Sequence, residues 1–147
     1  MHVELIEEKD LNKAVEILLL LRPKYSSEQL SEQIKEQQCR HQYQLIGVFD
    51  EEAGLVGVAG FIEGCKLAWG RYLLIEDLMV TPQWQQSGAG GHLLKWLRHH
   101  GLQLGCKELH VNSSVSRFSA HKFYLQEGFR ISSHHFSLQL QADATAQ

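Results

Sequence analysis

The chain has 147 residues, of which 44% are hydrophobic and 21% charged, a composition typical of one soluble globular domain with a full-sized core. Its formal net charge is -3, from 14 basic and 17 acidic residues. This balance argues against a nucleic-acid or anionic-membrane partner, because such binders carry a basic excess. The first residues show no signal-peptide pattern, and the apolar run that follows is far shorter than the ~20 residues that span a bilayer.

The cysteines and histidines do not have the spacing of a metal site. Cys39, Cys65 and Cys106 form no C-x-x-C pair, so the sequence favours a reducing cytoplasm over a disulfide scaffold or a zinc site. The nine histidines lack the H-x-x-x-H and H-E-x-x-H spacings that place two imidazoles on one helix face. No metal ion is therefore expected.

The hydrophobic pattern divides most of the chain into strands and helices. Residues 72–80 are almost continuously apolar, as in a central strand that is covered on both faces. In chain order, the predicted elements are a strand over residues 3–6, a helix from Asp10 to Pro23, a polar helix opened by the capping box of Ser26 and Gln29, strands over 43–49, 55–62 and 72–80, a helix over 88–101, a strand over 109–111, a helix from 118 or 119 to 126, and a hairpin of strands over 129–131 and 136–140.

This order predicts a mixed α/β layer fold with a strand–helix–strand unit in its second half. No stretch is rich enough in Ser, Gly and Pro to be a linker. We therefore expect a single domain over residues 1–140, followed by a flexible tail over residues 141–147, which are small and polar.

A glycine-rich turn, QQSGAGG over residues 85–91, joins the long strand to an amphipathic helix. Glycine allows positive φ and close approach of a ligand, and the unpaired N–H groups of a helix start favour an anion. The turn is not a Walker loop, which needs Lys where His92 stands, nor a dinucleotide fingerprint, which needs Gly or Ala at Leu93. By itself it is equally consistent with phosphate binding and with a closely packed helix start.

Two blocks together resemble the GNAT superfamily of N-acyltransferases. Gln-x-x-Gly-x-Gly over residues 85–90 resembles the acetyl-CoA motif of that family, and AHKFYLQEGF over residues 120–129 is similar to its A-x-x-F-Y-x-x-x-G-F signature. The resemblance covers residues 72–140 well and the first half by element order only. It implies a mixed, mostly antiparallel sheet of six to seven strands with helices on both faces, and a cytoplasmic N-acetyltransferase that uses acetyl-CoA.

The resemblance also implies where acetyl-CoA binds. The N–H groups of the turn would hold the pyrophosphate, and the end of the long strand would pair with the pantetheine arm in a cleft between two splayed strands. Many members have Asn three residues before the alanine of the second block, where this chain has Arg117; Arg117 is a candidate to bind a phosphate instead. The residues assigned to acetyl-CoA are Leu78, Met79, Val80, Gln85, Gln86, Ser87, Gly88, Ala89, Gly90, Gly91, Asn112 and Arg117.

Acetyl transfer from a thioester to an amine needs a base for the amine, donors for an oxyanion and a proton for the departing thiolate. Glu76 and Asp77 interrupt the apolar strand, and buried carboxylates are costly unless they face water, a partner or a site. Strand alternation sends them to opposite faces unless a bulge intervenes. Polyamine-type members have a similar strand, whose Glu is the base; we interpret Glu76 as a base acting through a water and Asp77 as the residue that orients a cationic substrate. Solvation of both at a wet strand end is the alternative.

Tyr124 stands at the tyrosine of the second block. A phenol stays protonated at neutral pH and can donate to the leaving sulfur; core packing beside Phe123 and Phe129 is the alternative. The backbone N–H of Met79 is the candidate oxyanion donor. Three histidines remain alternative bases or residues at the mouth of the cleft: His121, His134 and His135.

The predicted function is direct transfer of an acetyl group from acetyl-CoA to a primary amine of a small molecule, within a ternary complex and without an acyl-enzyme. A peptide or protein N-acetyltransferase, with an open groove beside the splayed strands, is one alternative. A non-catalytic acyl-CoA-binding sensor is another, which the presence of both Glu76 and Tyr124 disfavours. A homodimer is indicated only by analogy with the family.

Overall fold

The computed structural model describes residues 1–141, so all of the expected tail except residue 141 lies outside the described residues. The chain forms two compact units, Met1–Val111 and a second unit that begins at Asn112. The first unit contains β1 (His2–Leu5), α1 (Leu11–Leu21), α2 (Ser27–Arg40), β2 (Gln44–Asp50), β3 (Gly54–Lys66), β4 (Gly70–Val80), α3 (Ala89–Gln103) and β5 (Glu108–Val111). The second unit contains α4 (Phe118–Gln126).

The strands form one five-stranded sheet in the order β1-β2-β3-β4-β5. Neighbouring strands are antiparallel except β4 and β5, which run parallel and are joined through α3, as a parallel pair requires a crossover connection. The predicted mixed, mostly antiparallel sheet is confirmed. The predicted number of six to seven strands is wrong, because the described chain has five.

The difference in strand number comes from the predicted C-terminal hairpin. Residues 129–131 and 136–140 are not in strands, and Phe136, Leu138 and Leu140 are each more than 80% exposed. Apolar alternation describes which face a strand would bury, whereas a strand forms only where a neighbouring strand completes its ladder of hydrogen bonds. The structure gives residues 129–141 no such neighbour in the described part of the chain.

The two N-terminal helices form as their local signals predict. Ser26 caps α2 through a complete capping box: its Oγ accepts from the N–H of Gln29 at 3.1 Å, and its own N–H donates to Gln29 Oε1 at 3.0 Å. The sparse apolar positions of α2, Leu30 and Ile34, are buried and join a core cluster with α1. Asp10 stands at the N-cap of α1 without a side-chain capping bond.

Helices cover both faces of the sheet. Val58 belongs to the core cluster with α1 and α2, whereas the Phe61 ring, on the other face of β3, contacts Trp96 and His100 of α3 at centroid distances of 6.0 and 5.7 Å. Leu73 of β4 also lies against α3, where it would contact any side chain placed on Gly101. The α1–α2 face and the α3 face are therefore distinct environments for the residues of β4.

The second unit is organised around α4 and its C-terminal cap. Gly128 has φ of +94°, and its N–H donates to the Leu125 carbonyl while the N–H of Phe129 donates to the Tyr124 carbonyl at 3.0 Å. This is the hydrogen-bond pattern of a Schellman cap. The predicted end of the helix at Gly128 is confirmed.

Within residues 1–141, no helix combines the length and the apolar character that crossing a membrane demands.

Candidate active site

A β-bulge in β4 brings the two acidic residues of the strand to one face. Gly60 pairs with Asp77 and Phe61 pairs with Ile75, so Glu76 is the extra residue of the bulge. Gly60 lies beneath the Tyr43 ring on the α1–α2 face, and Asp77 opposite it shares that face. Without the bulge, Asp77 would point toward α3.

Asp77 is the centre of a hydrogen-bonded network and its side chain is only 16% exposed. Its Oδ1 accepts from Arg22 Nε at 2.9 Å, and its Oδ2 accepts from the Tyr43 hydroxyl at 2.7 Å. Arg22 Nη2 also donates to the backbone carbonyl of Glu76 at 3.0 Å. Both carboxylate oxygens of Asp77 are thus occupied by residues of the chain itself.

The surroundings of Glu76 make it a better base than an exposed carboxylate. Burial raises the pKa of Glu76 above its usual range, and the neighbouring Asp77 raises it further, whereas His41 and Arg22 lower it. Burial, with the charge of Asp77, also raises the pKa of Tyr43 far above its ordinary value. Tyr43 is therefore protonated at neutral pH and donates to Asp77.

A cleft of about 370 Å³ lies next to this network, between the end of α1 and the inner side of α2. We call it the α1–α2 cleft. Arg22, Lys24 and Asp77 supply its charged groups, and the rest of its lining is apolar or uncharged: Leu18, Leu21, Pro23, Tyr25, Leu30, Gln33, Ile34, Gln37 and Tyr43. The sequence analysis missed Arg22 and Tyr43, since nothing near either residue in the chain indicates contact with β4.

Within residues 1–141, one edge of β4 has no partner strand from Glu76 onward. β5 pairs with β4 only from Tyr72 to Ile75, while pairing with β3 continues to Val80. The cleft between two splayed strands that the family resemblance implies stays a prediction. Residues 76–80 offer backbone groups to a ligand along this edge.

The direction of the backbone groups on that edge changes one prediction. The N–H of Thr81, just after β4, donates to the carbonyl of Val56 in β3 at 2.9 Å. Because N–H groups alternate in direction along a strand, the N–H of Met79 also points toward β3, and those of Leu78 and Val80 point to the unpaired edge. The prediction of Met79 as oxyanion donor is wrong for this reason, and Leu78 replaces it as the candidate nearest to Glu76.

The glycine-rich turn has a left-handed backbone at two positions, Gln86 with φ of +64° and Gly88 with φ of +93°. Side chains brace it from within: Gln85 Nε2 donates to the Val80 carbonyl at 3.1 Å, and Ser87 Oγ donates to the Trp84 carbonyl. Gly88 is the N-cap of α3, and a Cβ placed on it would meet nothing within 4 Å. The N–H of Ala89 donates to Ser87 Oγ at 3.3 Å, whereas those of Gly90 and Gly91 have no acceptor inside the helix.

Tyr124 lies in the second unit and is 7% exposed. Its ring meets Phe129 edge-on at a centroid distance of 5.5 Å and is tilted against Phe123 at 5.4 Å. Such contacts are expected if Tyr124 serves core packing, which is the alternative to its role as a proton donor. The role of Tyr124 as a proton donor continues to rest on its place in the signature block.

The other predicted residues of the second unit differ in exposure. Asn112 is exposed, and Arg117 is half-buried at the N-cap of α4. His121 Nε2 lies 2.6 Å from the Ser114 carbonyl oxygen; because a carbonyl only accepts, this nitrogen carries a proton and is not available as a base. His134 and His135 are exposed.

Known proteins resemble the chain in sequence and in fold. Residues 12–129, which extend over both units, match the acetyltransferase (GNAT) family. The aminoalkylphosphonate N-acetyltransferase of Salmonella typhimurium is 32% identical over 66 residues, or 45% of this chain. The match spans 43% of that relative, which is less than half of its length.

Two solved structures extend the likeness to nearly the whole chain. An acetyltransferase from Trypanosoma brucei is 26% identical, with a TM-score of 0.74 over 95% of this chain and 99% of that one. An aminoglycoside N-acetyltransferase in complex with CoA is 15% identical, with a TM-score of 0.81 over 95% of this chain and 94% of that one. The second likeness concerns the fold alone.

Proposed function

The chain belongs to the GNAT family of acetyltransferases, and from this premise we propose that it transfers an acetyl group from acetyl-CoA to the primary amine of a small molecule. The observation that carries the proposal is the unpaired edge of β4, which runs from the Glu76 bulge to Val80, close before the glycine-rich turn. This edge offers a continuous backbone track from a base to an anion site. The relative that is named for aminoalkylphosphonates supports a small amine as the acceptor.

In this proposal the chain binds acetyl-CoA mainly through its backbone. The N–H groups from Gln86 to Gly91 hold the pyrophosphate, because they lie at the positive end of the α3 dipole. Those of Ser87 and Ala89 also donate within the turn, to the Trp84 carbonyl and to Ser87 Oγ. The residues Leu78–Val80 pair with the amide groups of the pantetheine arm, as an added strand would. Gln85 and Ser87 act by bracing the turn, and Asn112 and Arg117 are further candidate contacts to the coenzyme.

The proposed chemistry uses Glu76 and the backbone of β4 from the first unit, and Tyr124 on the strength of its place in the signature block. Glu76 takes a proton from the acceptor ammonium, through a water molecule, and the neutral amine attacks the thioester carbon. The N–H of Leu78 donates to the oxyanion that forms. When the intermediate collapses, the C–S bond breaks and Tyr124 gives its proton to the departing thiolate, while the proton that the nitrogen sheds in becoming an amide passes through water to the Tyr124 phenolate. No acyl-enzyme is formed, because the amine attacks the thioester directly.

We place the acceptor in the α1–α2 cleft. A volume of about 370 Å³ lies within the range of small-molecule sites, and α2 forms one wall of it, which favours a compact amine over an extended peptide. Asp77 forms part of the cleft wall. Because Arg22 and Tyr43 occupy both of its oxygens, Asp77 contributes to acceptor orientation by holding these residues rather than by direct contact with the ammonium.

Calorimetry with acetyl-CoA tests the coenzyme site first. We expect saturable binding to the purified, folded chain. Thiol release on mixing acetyl-CoA with aminoalkylphosphonates, diamines, aminoglycosides and amino-terminal peptides then identifies the acceptor class. Turnover confined to peptides would overturn the small-molecule acceptor, and a folded chain that does not bind acetyl-CoA would overturn the whole proposal.

The Tyr124→Phe variant tests the proton donor separately. Loss of the hydroxyl with retention of the ring should lower kcat by about 10²–10⁴-fold, with little change in acetyl-CoA affinity. Phe123→Leu is a useful comparison, because it disturbs the same packing cluster and leaves the phenol in place. Equal turnover of Tyr124→Phe and the wild type would assign Tyr124 to packing.

A further inference from the structure

Three residues from three different elements meet at the Glu76 bulge. Arg22 is the C-cap of α1, Tyr43 directly precedes β2, and Asp77 follows Glu76 in β4. We call these three residues the bulge clamp. Tyr43 reaches Asp77 over Gly60, where any side chain would collide with the Tyr43 hydroxyl. The absence of a side chain at Gly60 is therefore a condition for the contact.

The bulge clamp supplies hydrogen bonds to the part of β4 where the regular pairing with β3 is interrupted. A bulged residue interrupts the ladder, so its backbone groups need partners from elsewhere. Arg22 Nη2 supplies one by donating to the Glu76 carbonyl at 3.0 Å, while Arg22 Nε is held by Asp77 at 2.9 Å. Tyr43 holds the other oxygen of Asp77 at 2.7 Å. The conformation of the bulge is thus fixed by three hydrogen bonds from outside the strand.

We propose that Arg22, Asp77 and Tyr43 are positioning residues that fix the bulge and thereby aim the Glu76 carboxylate at the amine of the acceptor. This inference rests on the proposed function, in which Glu76 is the base. Arg22 and Tyr43 also line the α1–α2 cleft, so the same residues shape the acceptor site and orient the base. A small displacement of a reacting group is sufficient to slow an enzyme ~10²-fold.

The charges that face Glu76 give the clamp a measurable signature. Asp77 from β4 raises the pKa of Glu76, whereas Arg22 from α1 and His41 from the end of α2 lower it. Tyr43, which precedes β2, is uncharged at neutral pH, because burial raises its pKa well above its ordinary value. Removal of Arg22 and removal of Asp77 should therefore move the titration of Glu76 in opposite directions, although the two residues form one ion pair.

The experiment compares Arg22→Gln with Asp77→Asn. Two readouts are measured: the pH profile of kcat/KM, and the titration of the Glu76 carboxyl carbon by NMR in the folded protein. We expect the acid limb and the NMR midpoint to move to higher pH in Arg22→Gln and to lower pH in Asp77→Asn. In both variants kcat should fall by about 10–100-fold, with acetyl-CoA affinity unchanged. Lys13→Gln, which breaks an exposed ion pair of α1, is the control and should match the wild type.

Tyr43→Phe keeps the inference testable if a charge variant does not fold, since it removes only the hydroxyl and should still lower kcat. Wild-type kcat in all folded clamp variants, or NMR midpoints that move in the same direction, would overturn the inference while leaving the proposed function in place. Opposite NMR shifts in a protein that transfers no acetyl group would instead overturn the proposed function.

Discussion

The two halves of β4 differ in their surroundings although they belong to one continuous strand. Residues 72–75 have hydrogen-bonded neighbours on both sides, β3 and β5, and Leu73 and Ile75 are completely buried. Residues 76–80 pair with β3 alone, contain the bulge and hold both acidic residues of the strand. Where β5 no longer pairs with it, β4 thus becomes a candidate binding edge, because its backbone groups are then available to a ligand.

The largest expected effect on activity comes from replacing Glu76, which lies in the half of β4 that pairs with β3 on one side. Glu76→Gln preserves the size of the side chain and removes the base, so kcat/KM should fall by about 10²–10⁴-fold while calorimetry shows unchanged acetyl-CoA affinity. Glu63→Gln is the matched control, since Glu63 forms an exposed ion pair with Arg71. Wild-type rates for Glu76→Gln would remove Glu76 from the mechanism.

A substitution in the doubly paired half should act on stability instead. Leu73→Ala removes a fully buried side chain and should lower the free energy of unfolding by about 2–5 kcal/mol, as measured by urea denaturation. Turnover per folded molecule should stay close to that of the wild type at a temperature where the variant is folded. A large loss of turnover without a loss of stability would erase the distinction between the two halves.

The glycine-rich turn allows a paired test of the coenzyme end of the track. Gly88 and Gly54 both have positive φ and open space at the Cβ position, so alanine at either should cost a similar ~1–2 kcal/mol of stability. Only Gly88→Ala should weaken acetyl-CoA binding, by about tenfold, because Gly54 lies at the start of β3 and not in the glycine-rich turn. Equal acetyl-CoA affinities of the two variants would show that the glycine-rich turn does not bind the pyrophosphate.

The smallest effect is a pH-dependent gain in stability on loss of Glu76. The folded protein raises the pKa of this group, so the folded state binds the proton more tightly than the unfolded state does. The resulting cost to stability is absent at a pH below both pKa values and develops as the pH rises through them. Glu76→Gln should therefore be slightly more stable than the wild type at neutral pH, and the gain should vanish in acid. A gain that persists in acid would have another cause.

Several features of the fold could be predicted because their causes lie within a few residues of one another. The Ser26–Gln29 capping box, the Gly128 cap of α4 and the helical start after Gly88 each depend on short-range hydrogen bonds or on a local φ preference. The family resemblance rested on similarly compact blocks.

The errors concern relations between distant parts of the chain. The predicted C-terminal hairpin had the correct alternation but no partner strand in the described residues. The direction of the Met79 N–H depends on which strand pairs with each edge of β4. The sequence of β4 does not contain that information. Arg22 and Asp77 are 55 positions apart, so no local pattern indicates their contact.

By itself, then, the sequence determined the order of helices and strands as far as α4, the Ser26 and Gly128 caps, the glycine-rich turn and the two carboxylates in an apolar strand, because these follow from steric and hydrogen-bonding preferences of neighbouring residues. Only the tertiary structure decided that a bulge puts both carboxylates on the α1–α2 face, that β5 ends opposite Ile75 and that Arg22 and Tyr43 bond Asp77. Register and strand length are settled by packing between segments that are far apart in the chain, and a single sequence does not record which segments meet.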